Sequence, residues 1–242
     1  MKKLSLLRKL YLRKYEKGYL LPFESSTFSQ NGEDGIIEEI FHRIGIDSRY
    51  AVEFGVEDGL ECNSRLLKQE GWQVLQMDGH DNNPEDIKQE YITAENINEL
   101  FQKYKVPKNL DFLCIDIDFN DYWVWKALDS FYRPRLVVLE YNASIAPWEA
   151  KAVKYDAKRM WDTTNYFGGS LLAMYRVARN KGYSLVYCEK AGVNAFFVRD
   201  DLLNGLEAKA PNEAYHGPSY GTKNKDTWIG HKISRDTMID ID

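Results

Sequence analysis

The stretch Tyr50-Ala-Val-Glu-Phe-Gly-Val-Glu-Asp-Gly59 decides the fold. Its first half is an apolar run of strand length and its second half a loop carrying Gly55 and Gly59. A helix-like segment, Asn63 to Glu70, follows. Glycine serves where the backbone turns sharply or approaches a ligand, and strand, glycine loop and helix in that order form the nucleotide-binding unit of doubly wound α/β folds. The next strand, Gln73 to Met77, ends on Asp78. That is where a nucleotide-binding fold carries the carboxylate that takes the ribose hydroxyls.

The glycine spacing departs from the dinucleotide fingerprint. Glu57 stands between the two glycines where another Gly would fall, and Glu57, Asp58 and Glu61 make the loop acidic. A pyrophosphate seeks backbone amides free of competing negative charge, so this loop opposes NAD or FAD. A nucleoside cation without phosphate tolerates it, and S-adenosylmethionine carries a sulfonium, an ammonium and a ribose. Glu53 followed by Gly55 and Gly59, with an acid closing the second strand, is the pattern of class I methyltransferases. Acidic loops after strands are also common without any ligand. Asp78 tips the reading toward a nucleoside site.

The chain has 242 residues, enough for one domain with a full core. A formal charge of −5 argues against nucleic acid as a partner. Cys62, Cys114 and Cys188 are scattered without a CxxC, and the last two lie in apolar runs. They read as buried thiols of a reducing cytoplasm, with no zinc site. No apolar run approaches transmembrane length, and the N-terminus lacks a signal-peptide core. A cytoplasmic protein is expected.

Met1 to Tyr19 is rich in Lys and Arg, with leucines near helical spacing. Two readings stay open for it: an amphipathic helix on an anionic membrane surface, or an appended helix packing on the domain or on a second subunit of a homodimer. Residues 1–27 are taken as this appendage, 28–203 as the catalytic domain, and 204–242 as a loop-rich extension and candidate acceptor lid. Within the domain, Phe28 to Asp34 is a polar turn before a helix, with Ser29 or Asn31 as cap and Glu33 and Asp34 in the first turn. Pro84 is expected to open a helix and Tyr91 to Thr93 to form a short strand. Leu110 to Ile117 and Leu136 to Leu139 are strong buried strands. Between them, Tyr122 to Phe131 reads as helix. Phe167 to Lys181 is a helix closed by Gly182, and Tyr183–Cys188 and Asn194–Arg199 form an antiparallel hairpin. Five β/α units and a hairpin predict an α/β, Rossmann-like, mostly parallel seven-stranded sheet with helices on both faces.

In sequence order, Phe28-Ser-Gln-Asn-Gly-Glu-Asp34, Val52-Glu-Phe-Gly55, Ile115-Asp-Ile-Asp118 with Asn120-Asp-Tyr-Trp123, and Val138-Leu-Glu-Tyr-Asn142 resemble the FkbM-like S-adenosylmethionine-dependent methyltransferases, in particular bacterial members found with surface-polysaccharide and small-metabolite genes. The resemblance spans about Thr27 to Arg199. It implies a methyl acceptor that is often a sugar hydroxyl. Glu57 departs from the family, which has Asn there.

In an open parallel sheet, ligands sit beyond the carboxyl ends of the strands. Glu53, Gly55, Asp78 and Asp116 are assigned to the cofactor, together with Gln30 and Asp34 before the first strand. Asp58 and Asn63 in the glycine loop, and Gly79 and His80 after Asp78, join them. Asp118 and Glu140 are the candidate catalytic carboxylates, and His216 is a candidate general base near neutral pH. Asp121, Tyr141, Asn142 and Trp148 are left for the acceptor, the two aromatics as stacking surfaces. Asp121 reads equally well as a helix cap. Asp118, Glu140 and Asn142 also carry the oxygen ligands that Mg²⁺ or Ca²⁺ takes, although the primary reading has no metal. Two other classes stay open: a metal-dependent nucleotide-sugar glycosyltransferase using Asp116-x-Asp118, and a cofactor-binding scaffold without turnover.

Overall fold

The structure, a computed structural model, describes residues 19–81, 83–224 and 227–242. The expected basic N-terminal helix lies outside the described residues. Seven strands form the central sheet: β1 Tyr50–Phe54, β2 Gln73–Asp78, β3 Ile87–Gln89, β4 Phe112–Ile115, β5 Leu136–Glu140, β7 Tyr183–Cys188 and β8 Asn194–Arg199. Their order is β3-β2-β1-β4-β5-β8-β7. The first five are parallel, and β8 runs antiparallel to both of its neighbours. β1, β4 and almost all of β5 are buried throughout, as continuous apolar runs in a parallel sheet require.

Alternation along the strands sends successive side chains to opposite faces. Val52, Phe54, Leu113 and Ile115 pack with α3 (Ile97–Lys103), α4 (Asp121–Ala127) and α5 (Leu171–Lys181). Ala51, Phe112, Cys114 and Val138 pack with α1 (Glu33–Ile44) and α2 (Arg65–Gln69). The result is the expected three-layer α/β sandwich. All three cysteines are free and buried.

Five local expectations differ, the first being the helix expected from Phe167, which starts at Leu171 because Ser170 caps it by accepting from the Ala173 amide. Pro84 opens a turn instead of a helix, because the next residues pair with the outer edge of β2 and bury Ile87 against Val56 and Cys62. The third strand is therefore Ile87–Gln89, and Tyr91–Thr93 is irregular. Helix α4 ends at Ala127, ahead of Phe131, and the amide of Asp129 turns to Asn98 Oδ1 at 2.8 Å. The N-cap of α1 is Gly32, with φ at 103°, although Ser29 Oγ still accepts from the Asp34 amide at 3.0 Å.

The outer segments join the same cores. Leu20, Phe23 and Leu206 belong to one face, and Ala214 and Ile241 to the other. Downstream of β8 lie α6 (Pro211–Ala214), the small β9–β10 ladder (Lys223–Asn224 with Thr227–Trp228), and β11 (Ile239–Asp240). β11 pairs antiparallel with β6 (Lys151–Ala152). The irregular stretch after β5 is thus fastened from behind by the C-terminal segment.

Candidate functional site

The site is built where β1 and β4 part company, the topological switch point of the sheet. A Cβ on Gly55, whose φ is +69°, would lie 1.5 Å from the Asp116 carbonyl oxygen. Only glycine lets the two strand ends come so close. The Gly55 amide also donates to the Met77 carbonyl at 3.0 Å, tying β2 to the same point.

Two cavities of about 340 Å³ each flank this point, and Gly55, Glu57 and Asp118 line both. The first is bounded by Gln30 to Glu33, the glycine loop, Asp116, Glu140 and Asn194. Among the described residues, Glu33, Glu53, Glu57, Asp58, Glu61, Asp116, Asp118 and Glu140 all line it, with no Lys, Arg or His. The second runs past Asp78, Gly79 and His80 to Glu90–Ile92 and Arg159–Trp161, and adds the apolar surfaces of Tyr91, Ile92 and Trp161.

Several acids assigned to the cofactor are struts. Glu53 is buried, and its two oxygens accept from the amides of Asn63 (2.8 Å) and Ser64 (2.7 Å). It fixes the loop between β1 and α2, and burial raises its pKa. Asn63 completes the strut through Nδ2 on Cys114 Sγ at 3.3 Å. Asp34 lines neither of the two cavities; one oxygen takes the amides of Thr27, Phe28 and Ser29. Asp58 faces the first cavity and accepts from the Leu60 amide at 2.9 Å, and Gln30 reaches across to Glu61 at 3.3 Å.

Asp78 is 3% exposed. Its Oδ2 accepts from the Glu57 amide at 2.9 Å; Oδ1 accepts from the His80 amide at 2.8 Å and lies 2.6 Å from His80 Nδ1. That hydrogen bond, with the carboxylate charge, raises the pKa of the exposed His80 ring. Glu57 holds φ at 47° and Asp118 at 63°, left-handed conformations uncommon for side chains of this kind. Both strained residues border both cavities, where such strain accompanies function.

Oxygens of Asp116, Asp118 and Glu140 all lie within 4.8 Å of one another. Asp118 is exposed toward the cavities, yet the protein packed around its carboxylate, then Glu57 and Asp78, pushes it up to about 6. Burial and the neighbouring carboxylates raise Asp116 and Glu140 well above the carboxylate range. Asp121, fully buried, gives one oxygen to the Ile117 amide at 2.8 Å and keeps the other without a donor; burial pushes it up to about 7.

The remaining acceptor-side assignments are corrected by their contacts. Tyr141 is fully buried, and its hydroxyl donates to the His216 carbonyl at 2.8 Å, so no ring face is offered for stacking. Asn142 is fully buried, donates to the Asn165 and Phe167 carbonyls, and accepts from the Ser144 amide. Fully buried and lining neither of the two cavities, it is a loop pivot out of reach of metal or acceptor. Trp148 is 77% exposed and lines neither of the two cavities. His216 also lines neither; burial lowers its pKa and its charged neighbours are Glu24 and Lys190. It sits against the β7–β8 turn, where Gly192 closely approaches its carbonyl, so it is no base for the carboxylate cluster.

Sequence reasoning passed over Asn194 in the first cavity, and read Glu33 as a first-turn acid whose position also lets it reach a ligand. Asn194 is 3% exposed, stands opposite Glu140 in the β5–β8 register, and donates to Glu33 Oε1 at 2.9 Å while its Oδ1 has no donor. Glu33 also takes the Asn31 amide at 2.8 Å. The hairpin reading carried the signal for Asn194, as first residue of the strand after the turn.

Compared with known proteins, the sequence matches no family model and no curated protein. The functional reading therefore stands on the geometry.

Proposed function

We propose that the protein is a class I S-adenosylmethionine-dependent methyltransferase, with the cofactor lying across both cavities over Gly55. One observation carries the reading: a cavity lined by carboxylates, with no basic side chain among the described residues, at the switch point of a doubly wound sheet. Such a lining favours a sulfonium and an ammonium and opposes a pyrophosphate. The ribose goes to Asp78, which keeps lone pairs beside the Glu57 amide, and the adenine to the apolar wall at Tyr91 and Ile92.

The acceptor approaches from the Asp118–Glu140 side. Bound over Gly55, S-adenosylmethionine would supply an electrophilic methyl group to an acceptor hydroxyl, its sulfur keeping the electron pair of the broken carbon–sulfur bond. A carboxylate whose pKa is raised toward neutrality takes the hydroxyl proton, and Asp118 has that property. The FkbM resemblance supports a sugar-like acceptor in surface-polysaccharide or small-metabolite biosynthesis; the acidic lining equally suits a small amine.

A second reading has one observation in its favour. Asp116 and Asp118 converge with Glu140, as a metal-dependent nucleotide-sugar transferase needs. Isothermal titration with S-adenosylhomocysteine and with UDP plus Mn²⁺, on wild type and Asp78→Asn, separates the two. The methyltransferase reading expects the nucleoside thioether to bind and the substitution to weaken it. Binding of UDP alone overturns that reading in favour of glycosyl transfer.

A further inference from the structure

We propose that Asp116, Asp118 and Glu140 hold a hard divalent cation, Mg²⁺, Mn²⁺ or Ca²⁺, with Asn194 Oδ1 as a fourth oxygen at its edge. Three carboxylates from two strand ends converge so that one oxygen of each lies within 4.8 Å of the others. Oxygens bound at about 2.1 to 2.5 Å to one ion lie about 3 to 5 Å apart, so the spread suits these three ions. Among the described residues that line the cavity, no Lys, Arg or His supplies a counter-charge. Convergent carboxylates alone are common. Independent evidence comes from unpaired oxygens beside them.

Asn194 is 3% exposed, lines the same cavity, stands in register with Glu140, and has no donor for Oδ1. Glu140 Oε2 is likewise buried without a donor. Buried acceptors without donors carry a large desolvation cost, and a hard cation satisfies them together. The ligand set differs from the sequence expectation. Asn142 lines neither cavity and is left out, whereas Asp116 and Asn194 both line the first one. Asn194 reaches the site only through strand register.

The inference does not depend on S-adenosylmethionine being the cofactor. Should that reading hold, the ion would bind an acceptor oxygen and lower its pKa, in place of proton transfer to a free Asp118 carboxylate.

The test uses the full chain stripped with EDTA and titrated with Mn²⁺ alone, followed by calorimetry and by electron paramagnetic resonance. Saturable binding of one Mn²⁺ per chain is expected. Glu140→Gln and Asp118→Asn should each weaken it by about tenfold or more, since affinity follows the ligand charge count. Asp58→Asn, in the same cavity but outside the cluster, should leave it unchanged. Wild-type protein loaded with Fe²⁺ and treated with ascorbate and peroxide gives a readout that needs no variant: backbone cleavage near residues 116–118 and 140 supports the site. Absence of Mn²⁺ binding, affinity unchanged in Glu140→Gln and Asp118→Asn, or cleavage elsewhere overturns it. Failure of S-adenosylhomocysteine to bind would leave these metal results standing.

Discussion

The Cα of Gly55 faces the carbonyl oxygen of Asp116 so closely that an added methyl group would sit 1.5 Å from it. Neither partner can yield, because one is backbone at the end of β4 and the other is pinned to Met77. Gly55→Ala combines that collision with a left-handed φ. It should cost about 3 kcal/mol or more and lower Tm by roughly 10 °C. A melting curve within a degree or two of wild type would refute this account.

The Asp78–His80 pair gives a prediction in protons. The Asp78 hydrogen bond raises the His80 pKa above its ordinary 6.5. Its contribution to stability is thus present below the unfolded pKa and lost as pH rises through the folded one. NMR titration should show His80 turning over above 6.5, and Asp78→Asn should bring it back. A turnover at the ordinary value in wild type would dissolve the pair.

Asp121 predicts the opposite slope to a salt-bridged acid. Its folded pKa of about 7 exceeds the ordinary carboxylate value, so the folded chain holds the proton more tightly. That stabilisation is present at low pH and is lost as pH rises toward 7. In EDTA, wild-type stability should decline between about pH 5 and about pH 7, this residue contributing at most about 1.4 kcal/mol per pH unit. Asp121→Asn keeps the oxygen that the Ile117 amide uses, so its decline should be shallower. Parallel denaturation profiles would contradict this.

Two acceptor-side substitutions separate scaffold from surface. Asn142→Ala removes partners from the Asn165 and Phe167 carbonyls and the Ser144 amide, and should cost about 2 kcal/mol or more. Trp148→Ala, at a ring 77% exposed, should leave both melting temperature and ligand affinity unchanged. A drop in acceptor affinity for Trp148→Ala would restore the stacking role that its position denies.

The sequence spoke clearly wherever a whole element had to be buried. Tyr50–Phe54, the run through Ile115 and Leu136–Leu139 are apolar because both sheet faces are covered, and they fell in the centre. β3 was misplaced by a few residues because it is an edge strand of three, with one buried side chain. Side-chain roles were harder. Glu53 and Asp34 have the residue type of a ligand and the bonds of a strut, and nothing local distinguishes the two. Tyr141 looked like a binding surface until its hydroxyl met a carbonyl seventy-five positions away. The hairpin marked Asn194 as the first residue of a strand, and the β5–β8 register set it opposite Glu140.

The ladder between β6 and β11 bears on the order of folding. Arg159, in the wall of the second cavity, is held by Asp236 across a separation of 77 residues, and Arg176 binds the Ile241 carbonyl. Contacts between segments so far apart carry a loop-closure cost and form late. β1, β2 and β4 can dock from shorter separations. Pulse-labelled refolding should therefore protect Val52 and Leu113 before Ala152. The glycine loop matures first, while one wall of the cleft waits for a segment synthesised long after it, and a nascent chain emerging from the ribosome owns half of the cleft before the other half exists.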